Sequence, residues 1–181
     1  MKETIKLGLI LLIITVVAAG VLAVSNNLTK DKIAELEMEG SIGALKEIFG
    51  DMDKFAPLAQ GQQNEIIAAN SNVIEVFEAY SGDNIAGYAI KSKSKGFGGD
   101  IVMITGFAND GTVVGMQILE HSETPSLGSK AAEPEFTDKF RGKSTAEEIA
   151  VEAISGATIT SKGVLSGINE AREVFNAQLS N

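Results

Sequence analysis

Hydrophobic and polar positions divide this chain into regions with different periods. From Ile5 to Val24 the sequence IKLGLILLIITVVAAGVLAV is apolar throughout except for Lys6. A helix of about 20 residues spans about 30 Å, close to the hydrocarbon thickness of a bilayer. Lys6 lies near the end of the run, where its amine can reach the interface. A signal-peptide core runs only about 7–15 residues and ends at a small-x-small site. Val21-Leu22-Ala23 matches that poorly, which favours an uncleaved anchor. A helical continuation follows from Asn26, with Asn27 or Thr29 able to cap it, to Gly50, broken at Gly40. There Ser41 is placed to cap a second short helix, with Ile42, Leu45, Ile48 and Phe49 on one face. The stretch 51–72 is polar, contains Pro57 and one Ile66-Ile67 pair, and reads as a loop.

The period then shortens to two. Val73–Tyr80 alternates imperfectly, and Ser81-Gly82-Asp83-Asn84 reads as a turn. Ile85–Lys91, Ile101–Phe107 and Thr112–Leu119 follow as strands, the last two joined by the hairpin turn Asn109-Asp110-Gly111. Sequential strands with tight turns predict an antiparallel sheet. Glu133–Phe140 suits a short helix, and Ala146–Ala153 a helix or a lead into a strand. After Thr160, Val164, Leu165, Ile168, Ala171, Val174, Phe175 and Leu179 recur at helical spacing, so this helix must pack on the sheet. The predicted class is α+β: an N-terminal transmembrane helix, then a mainly antiparallel sheet packed with helices. The corresponding division is 1–25 anchor, 26–72 helical linker and 73–181 domain.

Composition narrows the chemistry. Cysteine is absent from the 181 residues and His121 is the lone histidine. Disulfides, thiolate metal sites, iron–sulfur ligation and a cysteine nucleophile are thereby excluded, and a zinc site is disfavoured. The formal net charge of −9 disfavours nucleic acid, which requires clustered cations. It fits a soluble surface or an acidic docking face. Lys2 and Lys6 before the apolar run balance Lys30 and Lys32 after it, so the positive-inside rule hardly discriminates orientation. No dinucleotide-binding, Walker, HExxH or serine-triad signature is present.

Three segments carry candidate chemistry. In Ser155-Gly156-Ala157-Thr158-Ile159-Thr160-Ser161, Gly156 permits a tight turn and Ala157 leaves room for a bulky group. Thr158 presents a hydroxyl just ahead of a helix that Thr160 or Ser161 could cap. A phosphate there would meet free backbone donors and the positive end of the helix dipole. An ordinary capped turn explains the same residues. His121–Gly128 (HSETPSLG) follows a strand, and Pro125 holds Glu123 and Thr124 extended; it reads either as a functional loop or as a solvated exit loop. Lys91, Lys93 and Lys95 share one strand face ahead of Gly96-Phe97-Gly98-Gly99. They suit a solvated edge that blocks strand pairing, or a cationic wall beside an anionic ligand.

Taken together and in order, the anchor, the KGFGG link, HSETPSLG and SGATITS resemble the G subunit of the Rnf electron-transport complex. That family shares its FMN-binding domain with the C subunit of the sodium-pumping NADH:quinone oxidoreductase. The resemblance implies that Thr158 carries FMN through a phosphoester, installed by a separate transferase that uses FAD as donor. Thr158 is then a tether, with no catalytic residue and no metal ligand in the chain. Ser155, Gly156, Ala157, Thr160 and Ser161 would surround the tether, and Glu123, Thr124, Leu127 and Gly128 would line the flavin or the surface the transferase reads. Two departures stand out: Ser126 replaces a glycine usual in the family loop, and Glu152 replaces an aspartate three residues before Ser155. The resemblance further implies other Rnf subunits as partners, a cytoplasmic N-terminus and an extracytoplasmic flavin domain. It points to an electron-carrying component of an ion-translocating ferredoxin:NAD+ oxidoreductase. The alternatives are a carrier like the quinone oxidoreductase's C subunit, a stand-alone flavin carrier, and an anchored scaffold domain without flavin.

Overall fold

The computed structural model describes residues 2–50 and 52–180. The chain forms two compact units, Met1–Gly40 and Ser41–Asn181. In the first unit the described residues are all helical, as part of α1 (Lys2–Phe49). Its apolar side chains are uncovered: Leu22 is 70% exposed and Val16 63%. This helix is long and apolar enough to cross a membrane. A helix bonds the backbone groups of its interior within the segment, which hydrocarbon requires.

The expected break at Gly40 does not occur, and Ser41 starts no second helix: α1 continues to Phe49, and Ser41 is a buried residue inside it. A mid-helix glycine weakens a helix by only about 1 kcal/mol. Burial of Ala44, Leu45, Ile48 and Phe49 on one face outweighs that.

The second unit is built on a five-stranded antiparallel sheet in sequential order. Its strands are β1 (Lys54–Pro57), β2 (Val73–Ser81), β3 (Asn84–Lys95), β4 (Asp100–Ala108) and β5 (Val113–Glu120). The predicted strands are therefore present, with β3 running on to Lys95. The polar stretch 51–72 is not a simple loop. It contributes β1, paired with β2 from Lys54↔Tyr80 to Pro57↔Phe77, and α2 (Gln60–Ala69). Asp51, the expected start of that loop, lies outside the described residues. Segment 41–72 thus belongs to the compact unit.

Both faces of the sheet are covered. Val76, Ile90, Ile101, Met103 and Phe107 face one core with Val164, Ile168, Ala171, Val174 and Phe175 of α4 (Thr158–Gln178). Phe175 stacks on Phe107 at 5.0 Å between ring centroids. On the opposite face Phe77, Ala79, Ala89 and Ile104 meet Ala44, Leu45, Ile48 and Phe49. Alternation of side chains along each strand separates these two sets.

The lysine row departs from expectation in one respect. Lys91, Lys93 and Lys95 do alternate onto one face, but β3 lies between β2 and β4 and is no edge. Lys91 is buried, 6% exposed, and donates to Ser41 Oγ at 3.3 Å. Lys95 pairs with Asp100 across the β3–β4 turn. The Lys95 hydrogen bond, then its charge and that of Lys93, hold the Asp100 carboxyl below its ordinary value.

Beyond β5 comes a 3-10 turn (Gly128–Ala132), and the short helix expected over Glu133–Phe140 is divided into α3 (Pro134–Thr137) and a second 3-10 turn (Asp138–Phe140), which bury Phe136 and Phe140. Residues 146–153 form neither helix nor strand. The Asn169 side chain explains this: it accepts from the Ile149 N–H at 2.8 Å and donates to the Ile149 carbonyl at 2.9 Å. A side-chain amide on α4 thus completes the extended backbone in place of a neighbouring strand.

Candidate functional site

The first turn of α4 begins where the SGATITS turn ends. Gly156 adopts φ 80°, a conformation that side chains with a Cβ disfavour. This turn delivers Ala157 as N-cap, with no side-chain cap, and Thr158 as the first helical residue. Neither Thr160 nor Ser161 caps the helix, contrary to expectation. Ser161 Oγ accepts from the Ile154 N–H at 2.9 Å and donates to the Ala157 carbonyl at 3.0 Å. Thr160 Oγ donates to Glu123 Oε2 at 2.6 Å. Both are buried, at 0% and 1% exposure, whereas Thr158 is exposed. The first N–H groups of the helix lack intrahelical acceptors, and no side chain caps them.

Glu123 gathers the three candidate segments. It is 6% exposed, and its second oxygen, Oε1, accepts from the Gly98 N–H of the glycine link at 3.0 Å. Gly128 packs so tightly here that an added Cβ would collide with Glu123 Oε2 and approach Thr160 Oγ to 2.8 Å. The 2.6 Å O–H···O spacing is at the short end of the range for hydroxyl donors.

The loop between Glu123 and Gly128 turns at Ser126, which holds φ 62°, the left-handed conformation. A glycine, which the resemblance leads one to expect at this position, would take this conformation without a Cβ clash. The Ser126 N–H bonds Ser129 Oγ at 2.9 Å. The Thr124 carbonyl accepts from the Leu127 and Ser129 N–H groups, both at 3.2 Å.

These pieces enclose a pocket of about 370 Å³, lined by Phe97, Glu123, Thr124, Leu127, Gly128 and residues 156–160. That volume suits a small-molecule ligand, for which pockets run about 300–1,000 Å³. Its rim is apolar and exposed: Phe97 is 67% exposed, Ile159 56% and Leu127 47%. Of the site residues expected from sequence, only Ser155 and Ser161 are outside the lining. Ser161 is buried beneath the helix start, and Ser155 opens to a separate cleft of about 310 Å³ with Lys130, Glu133 and Glu152. His121 accepts the Glu123 N–H on Nδ1 at 3.2 Å, but its side chain borders a different cleft, with Asp100 and Glu120. Phe97 and Ile159 join the lining without having been expected there. An aromatic residue isolated among glycines was the available signal for Phe97.

The FMN-binding domain family model matches residues 96–173, a span containing every lining residue of the pocket. The RnfG N-terminal region matches residues 1–48. The chain is 33% identical over 192 residues to the G subunit of the Na(+)-translocating ferredoxin:NAD(+) oxidoreductase complex of Acetobacterium woodii, covering 96% of this chain and 92% of that one. The chain belongs to the RnfG family. A second RnfG relative, the G subunit of the ion-translocating oxidoreductase complex of Methanosarcina acetivorans, is 31% identical, covering 98% of this chain and 97% of its own. Among solved structures, the C subunit of the Na(+)-translocating NADH-quinone reductase of Parabacteroides distasonis aligns with TM-score 0.55 at 20% identity, over 72% of this chain and 79% of that one. NqrC of Shewanella oneidensis aligns with TM-score 0.54 at 18% identity, over 72% and 84%. These two likenesses establish that this RnfG-family chain has the NqrC-like fold.

Proposed function

We propose that this chain is the FMN-carrying, membrane-anchored component of an ion-translocating ferredoxin:NAD+ oxidoreductase complex, with FMN in phosphoester linkage to Thr158. The observation that carries the assignment is the contrast among the hydroxyls of one turn. Thr158 is exposed at the pocket, Thr160 and Ser161 are buried and bonded, and Ser155 faces away. The pocket fits the group. Its apolar rim suits an aromatic ring system, and the uncapped start of α4 supplies N–H donors and a positive dipole end for a phosphodiester.

Loading is a group transfer. The Thr158 Oγ attacks the phosphorus of the FMN half of FAD, the P–O bond to AMP breaks, and AMP leaves with the pyrophosphate-bridging oxygen. The hydroxyl proton passes to a base of the FAD-dependent transferase. The chain's own part is to present Thr158 and to tie back its neighbours. When bound, FMN supplies the capacity to accept and release electrons; the protein tethers, orients and shields it. Thr158 remains a tether and takes no part in turnover.

Residues 1–25 serve in this proposal as the anchor, with the N-terminus cytoplasmic and the flavin domain extracytoplasmic. The partners are the other subunits of the complex, which deliver and remove electrons. The match of the N-terminal region favours this complex over a role in a quinone reductase.

The test is co-expression with a flavin transferase, followed by a denaturing gel viewed for flavin fluorescence. Wild-type protein is expected to fluoresce at the mass of the chain, and Thr158→Ala to be dark with unchanged thermal stability. A dark wild type removes the flavin assignment. A fluorescent Thr158→Ala moves the tether elsewhere.

A further inference from the structure

Glu123 is the one ionisable side chain among the residues lining the pocket beside Thr158. The others are apolar, glycine or threonine. Its two oxygens each accept one hydrogen bond, from Thr160 Oγ and from the Gly98 N–H. No ion pair among the described residues includes it. The pocket wall therefore carries a fixed, nearly buried negative charge without a cationic partner.

We propose that Glu123 sets the redox potential of the group held in this pocket, lowering it. This deepens the flavin reading above and rests on it. An electron arriving from a reduced partner adds negative charge to a group that already faces a fixed negative charge. The reduced form is disfavoured relative to the oxidised form, and the electron is passed on more readily to the next acceptor. A cavity of 370 Å³ is roughly 9 Å across if round, inside the roughly 12 Å at which a unit charge shifts an equilibrium about tenfold at an effective dielectric of about 20. Glu123 thus acts through the field in the pocket as well as through its two hydrogen bonds.

Glu123→Gln tests the proposal with little change of shape. The amide oxygen can accept from Gly98 and the amide nitrogen can donate to Thr160 Oγ, so the pocket retains its bonding. The full-length, flavin-loaded protein is titrated with dithionite against a reference dye, and the flavin absorbance is read. At a fixed solution potential the ratio of reduced to oxidised flavin is expected to rise about tenfold in Glu123→Gln, equal to 59 mV for one electron. A ratio that is unchanged or lower overturns the proposal, as does a rise of less than threefold.

A second pair of variants decides the matter if Glu123→Gln takes up no flavin. Leu127 lines the same wall and is 47% exposed, so a polar residue there is accommodated. Leu127→Glu is compared with Leu127→Gln, which differs in charge alone. A ratio at least threefold lower in Leu127→Glu supports control by pocket charge, and a smaller difference or a rise overturns it. Wild-type protein that carries no flavin would instead refute the parent reading, and the two failures are distinct.

Discussion

Replacing Thr160 with valine removes one hydrogen bond and little else. Valine has nearly the shape of threonine, so no cavity opens. The lost bond is short, 2.6 Å, and joins a hydroxyl of 1% exposure to a carboxylate of 6% exposure. Bonds to charged groups contribute about 1.5–3 kcal/mol, and the abandoned carboxylate oxygen has little access to water in compensation. We expect a loss of about 2 kcal/mol. The compact unit from Ser41 to Asn181 has about 140 residues, and at about 2.1 cal/mol/K per residue that loss lowers its Tm by about 7 °C. Thr160→Ser keeps the donor and should lower Tm by less than half as much. Tyrosine fluorescence follows the unfolding of this unit alone. The chain has no tryptophan, and its two tyrosines, Tyr80 and Tyr88, stand in β2 and β3. Detergent-solubilised full-length protein is heated with this readout. A Thr160→Val Tm within about 2 °C of wild type would refute the claim that the Glu123–Thr160 bond supports the start of α4.

Other perturbations have equally definite outcomes. Gly128→Ala forces a methyl into the space between Glu123 and Thr160 and should destabilise by about 1–3 kcal/mol in the same melt; wild-type stability would show that the loop yields freely. Phe175→Ala removes the ring stacked on Phe107 and should lose about 3–5 kcal/mol, measurable by urea titration of tyrosine fluorescence. Burial, and then the charge of Glu78, raise the Tyr88 phenol above its ordinary value of 10.0. Its folded form holds the proton longer than the unfolded form, so the stability present below pH 10 is lost as pH rises through the raised value. The hydrogen bond to Glu78 raises the Tyr80 phenol as well, so absorbance titration of phenolate should show both tyrosines ionising late, and Tyr88→Phe should halve the amplitude of that late step.

Much of this architecture is legible from periodicity. The apolar run, the strands from Val73 onward and the stripe on α4 each bury one consistent face, so local pattern and tertiary packing agree. The failures have physical causes. α2 buries little more than Ile66, and β1 has four residues, too few for a period to emerge. Gly40 reads as a stop because propensity is local, whereas the anchoring of Leu45 and Phe49 is tertiary. Residues 146–153 mislead because Asn169, on a distant helix, satisfies their backbone. At the site, the two loops stand out in the sequence but their link does not. Nothing in the spacing announces that Glu123 will bond Thr160, a pairing across 37 positions.

The placement of α4 bears on the order of biosynthesis. This helix follows every other element of the described residues, yet it supplies Thr158, one wall of the pocket and the hydroxyl that Glu123 holds. A ribosome reading towards the C-terminus releases the apolar run of α1 and all five strands before this helix. A chain that lacks α4 therefore presents neither the Thr158 hydroxyl nor that wall of the pocket. Under the proposed linkage, loading at Thr158 becomes a mark that the chain has been made through α4 and folded. A cell that assembles its complexes only from loaded proteins would exclude truncated copies without a dedicated inspection step.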